Sequence, residues 1–298
     1  MGQTLSAPIT EKDSSAGQNE RFAYGVSSMQ GWRSTMEDAH TTLMDLEEAQ
    51  GTAFFAVYDG HGGPNVAKCC SQDLHKKIVT DPAFIQGDYK KAISNGFLEM
   101  DNALRQNPQS EGDISGCTAI TATVTDKNIL YVGNAGDSRA VLGSNGKAIA
   151  LSVDHKPSNI AGGFVEAGRV NGMLALSRAL GDFEYKQNQM LDPEEQIVIA
   201  NPDVVEHKLT ADDEFMVLAC DGIWECMGSK TVVKIVRERI ADGLPLEKIC
   251  ESLMDDCLAP MDKLTSIGCD NMTVIIVAFL NGMTLEQWYK HIRSRIAV

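Results

Sequence analysis

The sequence predicts an α+β fold with mostly antiparallel sheets. Three observations carry that expectation: strand-like apolar runs cluster as hairpins, helical patterns come in pairs, and the two do not alternate as βαβ units would. With 298 residues and 43% hydrophobic content, the chain can bury one large core or two smaller ones. No internal repeat is visible.

Taken in order, residues 1–20 are polar, small and turn-rich, and read as a flexible tail. The opening Met1-Gly2-Gln3-Thr4-Leu5-Ser6 fits the N-myristoylation pattern, with Gly2 as acceptor. A single acyl chain there would give weak, reversible membrane association. Residues 21–280 read as one packed domain and 281–298 as a helical C-terminal extension. Ala53-Phe54-Phe55-Ala56-Val57-Tyr58 is a buried strand running into the glycine-rich turn Asp59-Gly60-His61-Gly62-Gly63. Helical spacing covers 65–79 and 89–106. Successive strands follow over 118–125, 129–134, 139–142 and 147–151, the last after the Ser144-Asn145-Gly146 turn. Another buried strand, 215–220, ends at Asp221-Gly222. Helices are expected at 230–241 and 246–257, and a closing strand at 272–279.

The formal net charge of -15 excludes generic nucleic-acid binding, which demands a basic footprint. It fits either plain solubility or carboxylates gathered as ligands for hard cations. Of the eight cysteines, Cys69 and Cys70 are adjacent and the others stand singly, with no C-x-x-C pair. That spacing argues against zinc and against a disulfide framework, and favours reduced thiols in a cytoplasmic or nuclear protein. No apolar stretch is long enough to span a membrane, and no signal-peptide core is present. A monomer is expected.

One pattern recurs. A buried apolar strand ends and an acidic residue beside a glycine stands at its mouth, at Asp59-Gly60 and again at Asp221-Gly222. Asp270-Asn271 is the mirror case, just before a strand. Strand ends are rigid, so carboxylates there can converge, and converging carboxylates repel unless protons or cations neutralise them. Oxygen-only ligands favour magnesium or manganese over zinc. The plainer reading makes each Asp-Gly pair a turn. Likewise the cluster Arg33, Glu37 and Asp38, taken alone, reads as a solvated face.

The motifs in order decide between these. Arg33-x-x-Met36-Glu37-Asp38 is followed by Val57-x-Asp59-Gly60-His61-Gly62-Gly63 and by Gly136-Asp137-Ser138-Arg139. Then come Asp154-His155-Lys156-Pro157, Leu176-Ser177-Arg178-Ala179-Leu180-Gly181-Asp182, Ala219-Cys220-Asp221-Gly222-Ile223-Trp224 and Asp270-Asn271-Met272-Thr273. Over about residues 22–279 the chain resembles the type 2C protein phosphatases, the metal-dependent serine/threonine phosphatases. The resemblance implies a sandwich of two antiparallel β-sheets flanked by α-helices, with two Mg2+ or Mn2+ ions per active site. Asp59 would bridge the ions, Gly60 would offer its carbonyl and Glu37 would complete one ligand set. Asp221 and Asp270 would hold the other ion. Asp38 would orient the attacking water lying between the metals, and Arg33 would fork onto the substrate phosphate. His61 would protonate the departing serine or threonine oxygen, since an alkoxide leaves poorly. For His40, His75, His155, His207 and His291 structural or surface roles are expected.

Two departures stand out. The family usually places an aspartate four residues after Asp221, where with Asp137 and Asp221 it helps bind a third metal; here Glu225 stands there. A charged helical stretch that usually precedes the counterpart of Ala161-Gly162-Gly163 is replaced by Ile160 alone, a loss of about two turns. The partners implied are phosphorylated proteins. The alternative is a catalytically impaired phosphatase-like binding module, which only the shortened segment supports. A cysteine phosphatase would need an arginine six residues after a cysteine, and a kinase or ATPase a Walker-type loop; neither is present.

Overall fold

The computed structural model describes residues 4–107, 112–157, 164–260 and 266–296. In chain order its elements are β1 (Thr4–Gln18), β2 (Phe22–Arg33), β3 (Ala39–Leu43), β4 (Ala53–Tyr58), β5 (Gly60–His61), α1 (Asn65–Val79), α2 (Pro82–Ile85), α3 (Tyr89–Gln106), β6 (Gly116–Cys117), β7 (Ala119–Val124), β8 (Ile129–Ala135), β9 (Arg139–Ser144), β10 (Lys147–Ala150), β11 (Val165–Glu166), β12 (Arg169–Val170), β13 (Leu180–Gly181), β14 (Asp203–Lys208), β15 (Asp213–Ala219), α4 (Asp221–Trp224), α5 (Ser229–Ala241), α6 (Leu246–Cys257), β16 (Met272–Phe279) and α7 (Leu285–Ile296). Antiparallel sheets with separate helices make this the α+β class that the sequence predicts.

The chain divides into two compact units. The first comprises Met1–Met36, Arg139–Leu151 and Lys208–Val298. Its six-stranded sheet has the order β1-β2-β16-β15-β9-β10, with every neighbouring pair antiparallel. All residues of β15 and β16 are buried, and apart from Asp213 and Glu214 at the start of β15 and Thr273 in β16 they are apolar, so these strands read as near-continuous hydrophobic runs rather than alternating ones. Alternate residues Phe215, Val217, Val274 and Ile276 share a core cluster with Val236 and Ile240 of α5 and Leu253 of α6. The same cluster holds Trp288 and Ile292 of α7, and the Trp288 indole N–H donates to the Glu214 carbonyl at 3.2 Å.

The stretch expected to be a flexible tail is corrected here, because most of it is β1. It pairs with β2 from Thr4 to Gln18. An edge strand needs main-chain partners on one side only, so its outward side chains stay polar, and that polarity mimics a disordered segment. The polar groups are engaged: the Ser14 hydroxyl lies 2.8 Å from Ser27 Oγ and donates to Glu251 Oε1 at 2.9 Å, and Lys12 reaches Asp255 at 2.7 Å. Gly2, the acylation candidate, lies outside the described residues. So does the shortened connection at Asn159, Ile160, Ala161, Gly162 and Gly163.

The second unit comprises Glu37–Ser138 and Ser152–His207. A five-stranded sheet, β14-β8-β7-β4-β3, carries it, alongside a small sheet of order β13-β6-β5 and the hairpin β11-β12. Phe54 and Tyr58 of β4 share a core cluster with Leu74 and Ile78 of α1 and with Ile93 and Phe97 of α3. This is an amphipathic helix pair laid on one sheet face. All eight cysteines are free thiols. Among the described residues no helix is long and apolar enough to cross a membrane.

Candidate active site

The second unit gathers Glu37, Asp38, Asp59, Gly60, His61 and Asp137. β4 is buried throughout and delivers Asp59 at its end, where Thr118 pins the backbone from both sides. The Thr118 N–H donates to the Asp59 carbonyl at 2.9 Å, and the Asp59 N–H to Thr118 Oγ1 at 3.3 Å. Carboxylate oxygens of Asp38 and Asp59 lie within 4.8 Å of each other, as do those of Asp59 and Asp137. Glu37 Oε2 accepts from the Gly63 N–H at 3.2 Å.

Gly60 is glycine for a reason the turn reading misses. Its φ is not left-handed, but a Cβ on it would stand 2.2 Å from the Glu37 carbonyl oxygen. The two segments therefore touch backbone to backbone, which sets Glu37 and Asp59 side by side. Gly222 repeats the device in the first unit, where a Cβ would stand 2.2 Å from the Asn271 carbonyl oxygen and so bring Asp221 next to the start of β16.

Asp137 follows Gly136, whose φ of +120° is open to glycine and strained for other residues. Burial pushes the Asp137 carboxyl up, the Lys156 ammonium 3.4 Å away pulls it down, and Asp154 adds to the rise. His155, expected to be structural, holds this turn: its Nδ1 accepts from the Gly136 N–H at 3.2 Å and its Nε2 lies 3.0 Å from Asp203 Oδ2.

In the first unit Arg33 closes β2 and forms an ion pair with Asp270. Asp270 leads into β16 and accepts the Asn271 N–H at 2.8 Å. The Asn271 side-chain amide donates to the carbonyls of Gln30 at 2.8 Å and Thr35 at 2.9 Å, tying that corner to the Arg33 segment. Asp221 opens α4 directly after β15. Glu225, at the C-terminal end of α4, is exposed and donates its N–H to the Asp221 carbonyl at 2.8 Å. The motif residue Arg139 stacks on Trp224, its guanidinium carbon 5.2 Å from the ring centre, and donates to Ser229 Oγ at 3.1 Å.

His61 Nε2 lies 2.7 Å from Asp182 Oδ2. Burial pulls the imidazole pKa down, but the hydrogen bond and charge of Asp182, joined by Asp137 and Glu37, outweigh it and leave the pKa raised. Asp182 was visible in the sequence as the last residue of a motif, with no role attached. Behind it stands Asp101, which the sequence reading passed over. The available signal was an acid on the face of α3 that buries Phe97, Met100 and Leu104.

The protein phosphatase 2C model matches residues 22–263. The chain belongs to the protein phosphatase 2C family. It is 53% identical to protein phosphatase 2C homolog 2 of Schizosaccharomyces pombe, over 99% of this chain and 83% of that one. Identity to a probable protein phosphatase 2C of Arabidopsis thaliana is 41%, over 94% and 93% of the two chains. Among solved structures, a phosphatase from Toxoplasma gondii superposes with a TM-score of 0.76 at 26% identity, covering 90% of this chain and 96% of that one. The α+β fold with antiparallel sheets is thus shared by a phosphatase of known structure.

Proposed function

We propose that this protein phosphatase 2C hydrolyses phosphoserine and phosphothreonine in proteins with two divalent cations, Mg2+ or Mn2+. One observation carries the metal reading: three carboxylates of one unit, Asp38, Asp59 and Asp137, converge so that Asp59 stands within 4.8 Å of each of the others. Such a group is unstable as bare anions, and an all-oxygen donor set suits a hard cation. The donors therefore fit the ions that the family implies. Glu37, Asp59 and the Gly60 carbonyl would hold one ion, and Asp221 and Asp270 the other. Asp137 is the proposed ligand of a third metal, and Glu225, long and exposed, is a weak donor for one.

Two such cations, when bound, lower the pKa of water and neutralise charge on the phosphoryl oxygens. The chain's own residues do the rest. Arg33, whose side chain is 40% exposed beside Asp270, offers its fork to phosphate oxygens. Asp38 accepts a hydrogen bond from the attacking water and orients it. His61 donates a proton to the leaving serine or threonine oxygen. The impaired-module alternative gains no support from these residues, since every proposed metal carboxylate is present.

Phosphorylated proteins are the proposed partners, and nucleic acid is not. We propose further that the chain is a monomer of the cytoplasm or nucleus, with a weakly membrane-associated fraction if Gly2 is acylated; mass spectrometry of the N-terminus from a eukaryotic host decides the last point. The metal reading is tested by counting Mn2+ bound per chain at saturation by elemental analysis. Two tightly held ions are expected in the wild type, and Asp59→Asn should lose both. A saturated stoichiometry of one or less would contradict it.

A further inference from the structure

We propose that Asp182 is a positioning residue for His61, and that the buried Asp101–Lys186 ion pair holds Asp182 in place. The proposal rests on the reading of His61 as proton donor.

The small sheet shows how the pair is built. Its order is β13-β6-β5, and Gly116 of β6 pairs with Gly181 on one side and His61 on the other. The side chains of His61 and Asp182 meet across that central glycine. A Cβ on Gly116 would stand 2.4 Å from Asp182 Oδ2 and 2.6 Å from His61 Nε2. The bare glycine is what lets the pair form. The Asp182 side chain is 4% exposed and that of His61 29%, so the carboxylate lies inward and the imidazole stands between it and solvent.

Asp182 is also fixed from behind. Its backbone is left-handed, with φ 52° and ψ 42°. Its own N–H donates to the Ser115 carbonyl at 3.3 Å. The preceding N–H, of Gly181, donates to Asp101 Oδ1 at 2.8 Å, and the same oxygen accepts from Lys186 Nζ at 2.7 Å. Lys186 donates to the Ala179 carbonyl as well, at 2.9 Å. With side chains 3% and 12% exposed, Lys186 and Asp101 form a buried pair. Such a pair is weak evidence for stability, but its cost is justified where it fixes one geometry. Here it brackets Asp182 on both sides in sequence, through Gly181 and Lys186.

The chemistry follows from which nitrogen is engaged. Asp182 takes the Nε2–H, so the proton available for transfer is on Nδ1. When the phosphorus–oxygen ester bond breaks, its electron pair stays on the serine or threonine oxygen, and that oxygen takes the Nδ1 proton. The imidazole is left neutral with Nε2–H still on Asp182. Without the carboxylate the ring loses its fixed orientation and the partner that stabilises its cationic form. In the serine hydrolase triad the same kind of carboxylate sets the tautomer of a catalytic histidine.

The test compares substrates whose leaving groups differ in their need for a proton. Asp182→Asn suits it, because asparagine tolerates the left-handed backbone, and thermal unfolding checks that the variant is folded. On a phosphothreonine peptide, metal-loaded Asp182→Asn should turn over about 10–100-fold more slowly than wild type, with KM little changed. On an aryl phosphate the loss should be within about 3-fold, since a phenolate leaves without protonation. His61→Ala should show the same split more strongly, and the double variant should be no slower than His61→Ala alone. Independently of turnover, the nitrogen NMR shifts of the His61 ring in metal-free protein should report a hydrogen-bonded Nε2–H in wild type that is lost in Asp182→Asn. If His61→Ala shows the split and Asp182→Asn does not, the positioning role is overturned while the proton-donor reading stands. If His61→Ala loses both substrates equally, the proton-donor reading fails and takes this proposal with it.

Discussion

His155 and Gly136 are joined by two hydrogen bonds. The Gly136 N–H donates to His155 Nδ1 at 3.2 Å, and the His155 backbone N–H donates to the Gly136 carbonyl at 2.9 Å. A ring nitrogen that accepts belongs to a neutral imidazole, so the turn before Asp137 is built around uncharged His155. Burial lowers the His155 pKa, Asp203 opposes that, and Arg178 adds to the lowering. The folded state therefore binds the proton less readily than the unfolded chain, whose histidine titrates near about 6.5. This contribution to stability is whole above that value and is lost as pH falls through it towards the lower folded pKa. In an NMR titration the His155 midpoint should lie below that of a free histidine. His155→Gln should flatten the loss of melting temperature between about pH 7 and pH 5. A midpoint at or above the free value would contradict this.

Gly60→Ala forces a methyl group into the 2.2 Å gap beside the Glu37 carbonyl. Overpacking of this kind typically costs about 1–3 kcal/mol. Here it also parts Glu37 from Asp59. Mn2+ affinity should therefore fall together with melting temperature. An alanine variant that keeps both at wild-type values would show that the close approach is not needed.

Bare carboxylates that converge store repulsion, so cations should stabilise the fold. At a free concentration 100 times Kd, a ligand specific for the folded state adds about 2.7 kcal/mol. Mn2+ or Mg2+ should raise the melting temperature of wild type, whereas Asp59→Asn should melt higher than wild type without metal and gain little on its addition. An equal metal-induced rise in both proteins would argue that the ions bind elsewhere.

β1 behaves as part of the first unit's sheet. Deleting residues 1–18 would strip the partner from β2 and expose an unpaired strand edge. Lower melting temperature and a tendency to aggregate are expected, measured by calorimetry and light scattering. A truncated chain as stable and soluble as the full one would restore the tail reading for this stretch.

How much was legible in the sequence depended on the kind of signal. The strands 53–58 and 272–279 and the helices 65–79, 89–106 and 246–257 could be read to the residue, because long buried runs and helical spacing are strong periodic signals. β2 was not read. Its pattern is broken by Gly25, Ser27 and Ser28, and a Cβ on Gly25 would stand 2.2 Å from the Glu247 nitrogen of α6, a contact no local pattern announces. β1 was misread because an edge strand with a polar outer surface lacks the alternation that marks a half-buried strand. Of the residues named from the motifs, Glu37, Asp38, Asp59, Gly60, His61 and Asp137 lie in one unit, and Arg33, Asp221, Asp270 and Glu225 in the other. The supporting residues were harder. Asp101 and Lys186 lie 85 positions apart, and their pairing across the fold leaves no trace in spacing.

The central claim is that metal-supported chemistry at this carboxylate cluster removes phosphate from phosphorylated protein side chains. The most direct measurement is phosphate release from a phosphothreonine peptide by the full chain, with Mn2+, after chelation and dialysis, and after Mn2+ is restored. Turnover should be present with Mn2+, absent after chelation and recovered on restoration, and absent throughout in Asp59→Asn. Undiminished turnover by the dialysed protein in excess chelator would contradict the account.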